Sequence, residues 1–75
     1  MIDAIVSALE NDSVIAIPTE NVKLDALVGK NASYTDSSDR NWPGKVVAVQ
    51  EPGVVVKFDS FPTGLGQGQI MQIEY

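Results

Sequence analysis

The chain has neither cysteine nor histidine. Without cysteine there are no disulfide staples and no thiolate metal ligands. Without histidine, a zinc site would need carboxylates alone, and the commonest general base is missing. Basic charge is scarce too. Five Lys and Arg stand against ten Asp and Glu, for a net charge of −5. The basic residues, Lys23, Lys30, Arg40, Lys45 and Lys57, are scattered singly, so no cationic stripe can neutralise phosphates and direct nucleic-acid binding is not expected. Long apolar runs are also absent. Val14 to Ile17 is far too short to cross a bilayer, and Asp3 follows no basic n-region, so neither a membrane span nor a secretory signal is read. These absences point to a cytoplasmic, soluble, non-catalytic protein that uses no cofactor and no metal.

What is present is enough for one small domain. Seventy-five residues lie near the lower limit for folding alone, and the core must be small. Ile2, Ile5, Val6 and Leu9 recur at helical spacing, which predicts a short amphipathic helix over residues 1–12, with Asp3 near its amino terminus. "SVIAIP" (Ser13 to Pro18) reads as a β-strand closed by proline. Val22 to Val28 reads as a half-buried strand or extended arm, although "LDAL" also fits one helical turn. After Gly29, Ala32 and Tyr34 alternate with Asn31, Ser33 and Thr35, and "DSSDRN" is a polar turn-forming loop.

"NWPGKVVAVQEPGVVVKFD" (Asn41 to Asp59) is a hairpin. Valines supply both strands, Pro52 presets φ at the turn, and Gly53 is free to take positive φ. "IMQIEY" (Ile70 to Tyr75) closes the chain as a strand with one apolar face. A free edge strand in such a sheet would leave homodimerisation open.

The order from Val28 to Tyr75 resembles the SH3-like small barrels, the group that includes Tudor and KOW modules. "VGKNASYTD", "NWPGKVVAV" and "GVVVKFD" carry the likeness, over about two-thirds of the chain. It implies a mainly β fold: an SH3-like barrel of about five strands spanning 28–75, preceded by the helix (1–12) and a strand with its connecting arm (13–27). Pro43 stands where a Tudor pattern has a second aromatic, so the resemblance implies the barrel more than a methylated ligand.

Two surface features bear on function. Tyr34, Trp42, Phe58 and Phe61 fall at strand ends, with Asp36, Asp39 and Asp59 beside them in sequence. Together they could form an edge that binds a protein with a basic surface, or a cage for a cation. Alternatively, Trp42 and Phe58 fill the core, since the chain has only one tryptophan, two tyrosines and two phenylalanines. "GLGQGQ" (Gly64 to Gln69) lacks the following helix and the Lys-Ser/Thr of nucleotide loops, and reads as a mobile surface loop. The expected function is a protein-interaction module or small accessory subunit. A second reading is an acidic inhibitor of phage or mobile-element type that occupies a basic nucleic-acid site. Its motives are the net charge and the compact chain beginning at Met1.

Overall fold

Valine and isoleucine recur through most of the segments that pair, and in a computed structural model describing all residues, 1–75, the chain builds six strands. These are β1 (Ile2–Glu10), β2 (Ser13–Pro18), β3 (Asn31–Thr35), β4 (Asn41–Gln50), β5 (Gly53–Phe58) and β6 (Ile70–Ile73). All neighbours are antiparallel, and the sheet closes in the order β1-β2-β5-β4-β3-β6. The result is a small closed barrel, consistent with the SH3-like architecture expected. Closure removes the free edge strand on which dimerisation was to depend. No helix is long and apolar enough to cross a membrane, a statement that does not extend to strands.

The amino-terminal helix is the main correction. Residues 2–10 form a strand, β1, paired with β2 on one side and β6 on the other. Ile2, Ala4 and Val6 point inward and are buried, whereas Ile5 and Leu9 are 42% and 45% exposed. The helical period in Ile2, Ile5, Val6 and Leu9 therefore competes with a period of two in which Ala4 counts as apolar. Two neighbouring ladders outweigh the marginal stability of a short isolated helix. Between residues 22 and 28, the open alternatives resolve in favour of the helical turn: Leu24–Leu27 is a 3₁₀ helix that drops Leu27 fully buried against the core.

Along the inner wall, small residues on one strand stand beside larger ones on its neighbours. Phe58 lies opposite Gly44, and Gly44 lies opposite Ala32, which pairs with Ile73. Ala16 sits between Val6 and Val54, and Ala4 opposite Met71. A Cβ on Gly44 would lie 2.9 Å from the Phe58 ring, so the glycine makes the space that the ring fills. Bulges at Ser7 in β1 and Val47 in β4 shift the alternation by one residue, so that beyond Val47 it is Ala48 that faces out and Val49 that packs toward the core.

The β4–β5 hairpin forms where expected, but its turn works differently. Gln50 pairs with Gly53, so the loop is Glu51-Pro52, and the bond between them is cis. Gly53 does not take positive φ. Its role is proximity, because a Cβ there would stand 2.4 Å from the Ala16 carbonyl oxygen on β2. Gly53→Ala should therefore push β2 and β5 apart at a cost of about 1–3 kcal/mol, whereas Gly66→Ala, with nothing within 4 Å, should leave stability unchanged or slightly raised. Thermal melts of the two variants beside wild type measure the contrast, and equal melting temperatures would remove the packing role of Gly53.

Candidate functional site

The β3–β4 hairpin sets the geometry of the aromatic set. Tyr34 and Trp42 are directly cross-strand neighbours and so share the inner face. Tyr34 is only 6% exposed and joins the core, while Trp42 is half-buried at the barrel end, packed against that core. Phe58 is 4% exposed. Phe61 leans on it edge to face, with ring centroids 6.2 Å apart at 85°. Of the four aromatics expected on a binding edge, Tyr34 and Phe58 thus face the interior. Period-two alternation turns both toward a core that has few other large residues. Trp42 and Phe61 keep exposed surface.

The loop between these strands is organised by one carboxylate. Asp36 Oδ1 accepts backbone N–H groups from Ser38 at 2.8 Å and Arg40 at 3.0 Å, an Asx-type turn. Its Oδ2 accepts the Trp42 indole N–H at 3.0 Å. Asp39, with φ of 63°, takes the left-handed conformation that Asp tolerates better than most residues. Arg40 then lies over the Trp42 ring, 5.4 Å from its centroid. The cation above this indole is the chain's own, and the arrangement is a latched ring rather than an empty cage. These bonds hold the Asp36 carboxyl below its ordinary value of 3.8; the indole N–H is the largest cause, followed by the Arg40 backbone N–H.

Asp59 belongs to a different surface. It lines a shallow polar groove over β3 and β4 with Asn31, Ser33, Lys45 and Glu74. Only Asp36, Asp39, Trp42 and the neighbouring Arg40 come together as one cluster. No group of three or more carboxylates is placed to hold a metal ion.

The glycine-rich segment, read as mobile, is tied down. Pro62 and Leu65 are buried. The Tyr34 hydroxyl donates to Gln69 Oε1 at 2.9 Å, and the same oxygen accepts the Gly66 N–H at 2.9 Å. Val6 N–H donates to the Gln69 carbonyl and Gly68 N–H to the Val6 carbonyl, both at 2.8 Å. Arg40 and Gln69 are the residues that sequence reasoning passed over. Arg40 carried a weak signal in lying two positions before the only tryptophan; Gln69 carried none. Compared with family models and with curated proteins, the chain matches none.

A lowered carboxyl pKa means the Asp36 contribution to stability is complete above the unfolded value of about 3.9 and is lost as pH falls through the folded one. Because Trp42 is the sole tryptophan, its emission reports the latch directly. Acid titration should shift that emission below the ordinary carboxylate range, and Asp36→Asn should abolish the step. A wild-type emission flat down to global unfolding would mean that the indole contact does not exist in solution.

Proposed function

We propose that the protein is a non-catalytic interaction module or small accessory subunit, and that it engages a protein partner through the barrel end that carries Trp42. The observation behind this reading is the latched indole. A half-exposed tryptophan, fixed by Asp36 below and Arg40 above on a closed scaffold, presents rigid aromatic area at low entropic cost. Phe61 adds apolar surface over Phe58. Asp39 stands exposed in the same loop, and Asp59 is exposed on a separate groove; both carboxylates would steer a basic partner. Tyr34 and Phe58 support this surface from within the core. The acidic-inhibitor reading is the less favoured one, because Lys45 and Lys57 stand directly opposite each other and interrupt the acidic surface on the β4–β5 hairpin.

The test is affinity capture from the native cells with wild type beside Trp42→Phe, which keeps the ring but loses the indole N–H, and Trp42→Ala. Folding of each variant is checked by circular dichroism. Partner recovery should fall stepwise, and the complex should lose little affinity as salt rises, as aromatic anchoring requires. Unchanged partners with a folded Trp42→Ala variant would refute the proposal. Steep loss of affinity with salt would instead favour a charge-mimicking inhibitor.

A further inference from the structure

The half-exposed Trp42 ring is not bare. Arg40 lies over it, with the guanidinium carbon 5.4 Å from the ring centroid. How firmly that cation is held decides what else the ring can receive. The backbone of Arg40 is fixed twice over. Its N–H donates to Asp36 Oδ1 at 3.0 Å, and its carbonyl accepts the Asp36 N–H at 3.0 Å. The guanidinium is held far less. It donates no hydrogen bond within the chain and joins no ion pair, the one ion pair being Lys57 with Asp12. Its hold is the ring alone, and an exposed cation–π contact shifts an equilibrium by only about two- to fivefold. The indole is held more strongly, by a charge-assisted hydrogen bond to Asp36 Oδ2 and by packing against the core. The Arg40 side chain can therefore swing off the ring while the loop and the indole keep their places.

Charge in the loop favours a cation on the face so vacated. Asp36 and Asp39 stand there against Arg40 alone, so one negative charge is left over. Asp39 is exposed, and its carboxylate accepts no hydrogen bond. The next base along β4, Lys45, lies on the outer face of the sheet opposite Lys57, whereas Trp42 shares the inner face with Tyr34. Arg40 is thus the one base of the chain at this ring.

We propose that the partner group seated on Trp42 is an arginine side chain, and that Arg40 keeps its place until it arrives. The proposal rests on the reading that the Trp42 end meets a protein partner, and it adds the chemistry that the ring face receives. A planar guanidinium stacks on an indole and keeps its in-plane donors free for carboxylates. The incoming cation also compensates the negative charge that Arg40 leaves over. Arg40 is then an internal competitor, and the partner's apparent affinity is reduced to the fraction of the protein whose ring is open.

The probe is acetyl-Gly-Arg-Gly-amide, with acetyl-Gly-citrulline-Gly-amide as its uncharged counterpart. The indole N–H resonance of Trp42, the sole tryptophan, reads binding. Wild type should bind the arginine probe and ignore the citrulline one. Arg40→Gln should bind the arginine probe about two- to fivefold more tightly. Loss of a positive charge would favour a cation by itself, so a double variant, Asp39→Asn with Arg40→Gln, restores the charge of the loop. Asn tolerates the left-handed conformation of residue 39 as Asp does. This double variant should still bind more tightly than wild type. Equal response to the two probes overturns the inference, as does a double variant that binds no better than wild type. Capture with Trp42→Ala separates the two claims. Partners lost there while the arginine probe fails on the ring would sink the guanidinium alone, whereas a ring that binds the probe with every partner retained would sink the interaction reading beneath it.

Discussion

The barrel closes only because β1 is paired along both edges, to β2 and to β6. The three-stranded β3-β4-β5 meander and the β6-β1-β2 sheet are otherwise joined where β5 meets β2 and where β3 meets β6. The second of these seams is short, with two paired positions at Ala32 and Ser33. Closing a ring this narrow limits what the interior can hold. The alanines at 4, 16 and 32 and the glycines at 44 and 53 follow from that limit, as does the burial of Phe58 over Gly44. Without β1, the inner faces of both sheets would be open to water.

The same closure limits the ways in which a partner could be met. With every strand paired on both sides, association by strand addition has no edge to use, and recognition falls to side chains on the outer face and at the barrel ends. The β3–β4 loop illustrates this. Its five residues gain their order from one carboxylate, which satisfies two backbone N–H groups and the indole together. Loop geometry and indole orientation are thus one feature, and disturbing either disturbs the other.

How much of this was legible in the sequence depended on whether the deciding neighbour lay nearby in the chain. The valine-rich β4–β5 hairpin and the alternation through Ala32 and Tyr34 carried their own evidence, and both stand. Residues 2–9 misled, because four large apolar residues at helical spacing drew attention from Ala4, whose inward role appears only once β2 and β6 flank it. Gly53 reads as a turn residue because Pro52 precedes it, yet its partner, Ala16, lies on a strand far away in sequence. For the site, the Asp36 turn was readable from loop composition. The inward direction of Tyr34 and Phe58 was half readable, in that so few aromatics had to serve a core. The clasp of Gln69 on Tyr34 is a contact across the barrel, and no local pattern announces it.

The small residues of the inner wall have an evolutionary consequence. Each sits opposite a large partner: Gly44 under Phe58, Ala16 between Val6 and Val54, Ala4 against Met71. An enlargement on one side can be accommodated only by a reduction on the other, so the interior of this barrel should change through paired, compensating substitutions. The outer wall is under no such volume constraint. Single substitutions should therefore be tolerated far more often on the outer wall than on the inner one, where a change of volume calls for a second change beside it.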